Sequence, residues 1–213
     1  MACAICEVRR PRRYCPGVRG DICTICCGTE REVTVSCPLD CEYLQDARLH
    51  ERPPEVDPET IPNRDIKVSE DFLRDNERLL MVVGQAIYRA AIDTPGLVDS
   101  DIREGLVALI RTYQTRETGL YYETRPNNPL AGAVCVLTQN AVAEHRRQET
   151  ESLGMSKTRD ADILGALVFL QRLEYDRNNG RPRGRAFVDF LRTVFPMPDA
   201  EAAAGGGSPL IIP

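Results

Sequence analysis

Nine cysteines are the residues of this chain best able to do chemistry, and eight of them crowd between Cys3 and Cys41, with Cys135 alone beyond. Their order is Cys3-x2-Cys6-x8-Cys15-x7-Cys23-x2-Cys26-Cys27-x9-Cys37-x3-Cys41. The two CxxC pairs, Cys3/Cys6 and Cys23/Cys26, stand sixteen residues apart, inside the window for a four-cysteine zinc site. A CxxC turn aims two sulfurs and the nearby backbone N–H groups at one point, and two such turns complete a tetrahedron. Cys15, Cys27, Cys37 and Cys41 remain as a second closed set. The sets interleave, which predicts a cross-braced pair of zinc sites in which the neighbours Cys26 and Cys27 serve different ions. Sequential pairing, or His50 in place of one cysteine, uses the same residues.

Other sulfur chemistry fits less well. Disulfide frameworks belong to oxidising compartments, and "MACAICEVRR" has no apolar signal core, so the expectation is a cytoplasmic protein with reduced thiolates. An iron–sulfur cluster also takes four thiolates and stands as the minor alternative, although the tight C-x2-C-x2-C run of ferredoxins is missing. A thioredoxin-like pair would need a strand before Cys23 and a helix after Cys26; the neighbours are turn-rich. Closed four-sulfur sites leave no open coordination position, so the two expected zinc ions are structural. They are also needed: the first 45 residues carry too few apolar side chains to offset chain entropy. Metal binding would supply on the order of 10 kcal/mol per site.

Arginines form the second set of candidates. Arg9, Arg10, Arg12, Arg13 and Arg19 lie in "VRRPRRYCPGVR", which has no acid, and Arg177, Arg181, Arg183 and Arg185 surround the Asn-Gly turn of "DRNNGRPRGR". Two readings stay open: contacts to phosphate, nucleic acid or an acidic partner, or plain charge screening beside thiolates and neighbouring acids. The second cluster has no interleaved aromatic for base stacking, and the net charge of −5 weighs against a general nucleic-acid binder.

The elements that must carry these residues follow from composition and periodicity. The chain has 213 residues, 42% of them hydrophobic, and no run approaching the ~18 apolar residues of a membrane helix. Residues 1–48 read as a small zinc-stabilised domain, 49–68 as a proline-rich linker, and 69–197 as an all-α bundle of about five helices. Residues 198–213 read as a disordered tail with an apolar end at Leu210, Ile211 and Ile212, a docking peptide or a segment that folds back. Phe72, Leu79, Val83 and Ile87 repeat at helical steps, as do Ile102, Leu106, Leu109, Ile110 and Tyr113. Leu130, Val134, Leu137 and Ala141 mark the inward face of a third helix, "DADILGALVFLQRLEYDR" a central fourth, and Phe187, Phe190, Leu191 and Val194 a fifth. No GxSxG, HExxH, GxGxxG or GxxxxGK[ST] occurs. Cys135 reads as a small core residue, and His145, between Glu144 and Arg146, as solvated surface. A protein that is not an enzyme is expected.

The finger spacing resembles the cross-braced double-zinc modules of RING, MYND and B-box proteins, which bind proteins and sometimes nucleic acid, although no histidine falls at their internal ligand positions. "YCPGVRGDICTICCGTEREVTVSCPLDCEYL" with "NNGRPRGRAFVDFLRTVFP" resembles an uncharacterised family of bacterial proteins with the same two-part layout. These resemblances imply a zinc-binding adaptor or regulatory protein with a protein partner. A nucleic-acid-binding regulator is the alternative and an enzyme the last option, with neither a membrane nor a small-molecule substrate.

Overall fold

Eight of the nine cysteines fall in a segment with little else to bury, and its fold is correspondingly small. A computed structural model describes residues 2–51, 57–119 and 122–197. Strands β1 (Arg13–Cys15) and β2 (Gly20–Ile22) pair antiparallel, Tyr14 opposite Asp21 and Cys15 opposite Gly20. Helix α1 (Thr24–Glu30) follows at once, so Cys23 and Cys26 are flanked by strand and helix where turns were expected, although among the described residues the only sheet is this antiparallel pair and no βαβ unit forms. The first turn of α1 is capped by the Cys23 sulfur, which accepts from the Cys26 N–H at 3.4 Å, where a Ser or Asp oxygen would usually sit. Helix α2 (Glu42–His50) completes the finger. Cys3, Ile22, Cys23 and Cys26 are its buried centre, with Ile5 against them.

The rest is helical, as the periodicity predicts: α3 (Glu70–Asp75), α4 (Glu77–Asp93), α5 (Asp99–Glu117), α6 (Pro129–Leu153), α7 (Asp160–Arg177) and α8 (Ala186–Val194). Helix α6 packs on α4 and α5, and α7 packs chiefly on α5. Buried Ile163, Leu164, Ala166, Leu167, Val168 and Leu170 put α7 at the centre of the body. A bidentate Arg103–Glu174 pair, both bonds 2.9 Å, ties α5 to α7 with Glu174 fully inside. No helix among the described residues is long and apolar enough to cross a membrane.

Three details differ from the periodicity. The expected helix through Phe72 and Ile87 is broken at Asn76, which leaves the helical region (φ −111°, ψ 18°) and donates its side-chain amide to the Phe72 carbonyl at 3.0 Å. The break sets the Phe72 ring over Gly165 of α7, where a Cβ would lie 2.5 Å from the ring. On α6 the buried stripe is Ala131, Val134, Cys135, Thr138, Val142 and His145, while Leu137 and Ala141 are partly buried. Small residues lead because the backbones come close: a Cβ on Gly105 of α5 would sit 3.0 Å from Val134. His145 is therefore not surface; it is 4% exposed, in register with Val134, Thr138 and Val142 against α4, and its charged sequence neighbours point away. Burial pushes its pKa down, with Glu149 opposing. Cys135 is core, its thiol directed at the Gly105 carbonyl and pushed up to about 11 by burial.

Residues 57–68 lie along α7 and carry a short 3-10 turn at Pro58–Thr60. Arg172 donates to the carbonyls of Pro62, Asn63 and Ile66, and Asn63 donates to Gln171 at 2.7 Å. The tail at 198–213, with Leu210, Ile211 and Ile212, lies outside the described residues.

Candidate metal centre

The turn at Cys3–Cys6 and the entry to α1 at Cys23–Cys26 are brought together because residue 4 bonds to the outer side of β2, Ala4 N–H to Asp21 carbonyl at 2.9 Å. The ligand sulfurs of Cys3, Cys6, Cys23 and Cys26 then all lie within 4.8 Å of one another, a gathering unique to this quartet among the described residues. Four sulfurs bound to one ion at ~2.3 Å stand ~3.8 Å apart in a regular tetrahedron, so the set needs little contraction to close on zinc. Backbone N–H groups support it: the Cys3 sulfur accepts from Cys23 N–H at 3.2 Å. Burial opposes ionisation of Cys3, yet N–H groups of Cys6, Cys23 and Ile5 outweigh it and bring the thiol down to about 6. Cys26 is pushed up to about 12 by burial and then by the Cys23, Cys6 and Cys3 sulfurs around it. A fourth negative charge among three is resisted unless a cation stands between them.

Cys15, Cys27, Cys37 and Cys41 line one partly open cavity of about 20 Å³, beside Tyr43 and Leu44, but their sulfurs are not gathered as closely as those of the first quartet. That volume admits about one water-sized sphere, the scale of a single ion. Arg13 and Arg31 each point a guanidinium at the Cys27 sulfur from 3.8 Å. Burial raises the Cys37 pKa, the Glu32 N–H opposes it, and the charges of Glu32, Cys15 and Cys41 add to the rise. Cys26 thus belongs to the gathered quartet and also borders the cavity, while Cys27 lines the cavity alone. His50 is exposed at the end of α2 and belongs to neither set.

The arginines divide into three groups. Arg9 sits against Cys23 and Cys6, which raise its pKa, and Arg13 also stacks over the Tyr43 ring at 3.9 Å. Arg10, Arg12 and Arg19 are exposed. In the third group, Arg177 pairs with Asp176 and stacks on Phe190, whereas Arg181, Arg183 and Arg185 join the finger to the body. Arg181 donates to the Arg31 carbonyl and pairs with Glu51; Arg183 reaches Ser36 Oγ; Arg185 reaches the Ala91 carbonyl of α4.

The centre of this joint is Glu32, a residue the sequence did not single out. It has no solvent exposure and sits in the left-handed region at φ 53°. Its carboxylate accepts from Arg48 at 2.8 Å, Asn179 at 2.8 Å and the Arg185 N–H at 3.0 Å, while its carbonyl accepts from the Arg183 N–H at 2.8 Å. Arg48 reaches on to Asp189 of α8 at 2.5 Å. Below it, Asp99 of α5 accepts from the Phe187 and Val188 N–H groups and so caps α8 from outside. The Glu-Arg-Glu string around Glu32 gives no sign of this, but the Asn-Asn-Gly turn at 178–180 is a signal that the loop is held in a fixed shape.

Comparison with protein-family models, with curated proteins and with solved structures returns no match.

Proposed function

We propose that the chain is a zinc-binding adaptor or regulatory protein, without catalytic activity, that presents a finger held by two structural zinc ions, rigidly mounted on a helical body, to a protein partner. The observation that carries the reading is the convergence of the Cys3, Cys6, Cys23 and Cys26 sulfurs, a donor set that favours zinc and leaves no position for substrate. The Cys15, Cys27, Cys37 and Cys41 cavity supports a second ion, with Arg13 and Arg31 offsetting thiolate charge. Neither site offers the Lewis-acid position of a catalytic zinc. The fixed joint at Glu32 supports a partner surface made of both parts, since two loosely tethered modules would present no constant surface.

Metal analysis of the reduced, full-length protein tests the centre. Two zinc ions per chain are expected, with Cys23→Ser and Cys27→Ser each losing one and different ones. A single zinc, or iron with charge-transfer absorption, would overturn the double-zinc reading. For the adaptor role, a protein recovered by affinity capture should rebind the purified chain from purified components and release it on chelation. Rebinding that is indifferent to chelation would overturn the role of the finger.

A further inference from the structure

The outer face of the β1–β2 hairpin carries charge and aromatic surface that the metal centre does not use. Along residues 12–15 exposure alternates with the strand period: Arg13 and Cys15 are half-buried beside Tyr43 and the second cysteine set, while Arg12 and Tyr14 are exposed, Tyr14 at the rim of the cavity those cysteines line. Tyr14 is 60% exposed. Arg10 and Arg19 are exposed as well, and so is Asp21, which pairs with Tyr14 across the hairpin and shares its face. Arg48, Arg103, Arg146 and Arg181 each have a carboxylate partner; among the described residues Arg10, Arg12 and Arg19 form no ion pair.

Arg19 stands at the tip of the same hairpin. It ends the hairpin turn at φ 55°, in the left-handed region where glycine or asparagine is favoured. Among the described residues its guanidinium makes no hydrogen bond that would offset the cost of that backbone. Hairpin closure itself calls for a left-handed residue at this place, and with arginine there the hairpin tip carries a free cation.

We propose that this face binds single-stranded nucleic acid without sequence preference, with a base stacked on Tyr14 and phosphates held by Arg10, Arg12 and Arg19. Any base offers a π-face to an exposed tyrosine, and planar guanidiniums match phosphate oxygens. Arg12 and Tyr14, on one strand face, stand ~7 Å apart, so one nucleotide and its neighbour's phosphate can be engaged together. An acidic peptide would meet the same cations but no anchor: the cavity the hairpin lines, about 20 Å³, is too small to seat a side chain. The proposal goes beyond the adaptor reading and requires only that the finger be folded and metal-loaded.

The test is fluorescence anisotropy of a labelled twelve-nucleotide oligo(dT), and of a mixed-sequence RNA of the same length, with the zinc-loaded full chain. Saturable binding to both is expected at 50 mM salt. Three phosphate contacts on a single strand give a slope of log K against log salt of about −2. Tyr14→Ala should weaken binding ~5- to 150-fold, and Tyr14→Phe should keep it. Arg12→Ala should make the slope ~0.7 shallower. Arg19→Gly should weaken binding while the thermal midpoint stays the same or rises, a combination that a structural role would not give. Where Tyr14→Ala lowers zinc content, Arg12→Ala and Arg19→Gly decide. No binding at 50 mM salt with full zinc content, variants that bind like the parent, or equal displacement by a poly-glutamate peptide would each overturn the proposal, and none of these bears on the zinc count.

Discussion

Glu32→Ala should detach the finger from the helical body. The carboxylate is fully buried and receives three donors, from Arg48, Asn179 and the Arg185 backbone. Truncation leaves Arg48, whose side chain is only 13% exposed, without one of its two anions. Removing one member of a buried pair costs about 3–5 kcal/mol, because the remaining charge is stranded. Arg48 keeps Asp189 at 2.5 Å, which argues for the lower end, while the orphaned Arg185 N–H adds ~1 kcal/mol or more. The expected loss is therefore about 3–4 kcal/mol, a large part of the ~5–15 kcal/mol that a folded protein holds. With a urea slope of ~2–3 kcal/mol/M the midpoint should fall by about 1 M or more. Hydrogen exchange supplies the local readout: the amides of Arg183 and Arg185, which bond Glu32, should lose protection, while those of α5 and α7 keep theirs under conditions where the body stays folded. A loss below ~1 kcal/mol, with those two amides still protected, would refute the assignment of Glu32 as the centre of the joint.

Two further outcomes follow from the same geometry. A Cβ on Gly17 would lie 2.7 Å from the Ser36 carbonyl and 2.8 Å from Val35, so Gly17→Ala should push the Cys15 turn from the Cys37 loop and weaken zinc binding at the proposed second site ~10-fold or more against a competing chelator; Gly28→Ala, which meets nothing within 4 Å, should leave the zinc content unchanged. Burial pushes the Asp99 carboxyl up to about 7, with the Phe187 and Val188 N–H groups opposing and the Glu174 and Glu32 charges adding to the rise, while Arg185 and Arg103 are the cations nearby. A folded pKa above the unfolded 3.8 means that the native state binds the extra proton, so this group's contribution is fully present below about pH 4 and is lost as pH rises through 7. Asp99→Asn, which can still accept at the start of α8, should flatten the fall in stability between pH 5 and 8 measured by denaturation at each pH; a wild-type and variant pair with parallel profiles would contradict this.

The helices and the gathering of the first cysteine quartet were legible because each rests on a short-range rule. CxxC spacing sets where two sulfurs point, and apolar steps of three and four set which helix face is buried. His145 was misread because burial on α6 is decided by two flanking helices, and flanking charges at 144 and 146 say nothing about the direction of 145. The break at Asn76 was hidden because Phe72 keeps the helical phase while its ring serves a glycine on α7. Glu32 was beyond reach for a different reason. Its partners lie up to 153 residues away, and a charged residue in a charged string looks solvated until the fold encloses it.

That separation also sets an order of events. Contacts between Glu32 and residues 179–185 span 147 to 153 positions, so their loop-closure cost is met late in folding. The Cys27–Cys37 loop that carries Glu32 is made before residues 179–185 on the ribosome, and if the proposed second ion holds both its ends the loop waits preformed for its receiver. Zinc would then act on the rate at which the last turn before α8 docks, as well as on the final stability. Chains synthesised without it would finish their helices and still carry Asn179 and Arg185 exposed, a species open to proteolysis at the residue 178–185 loop.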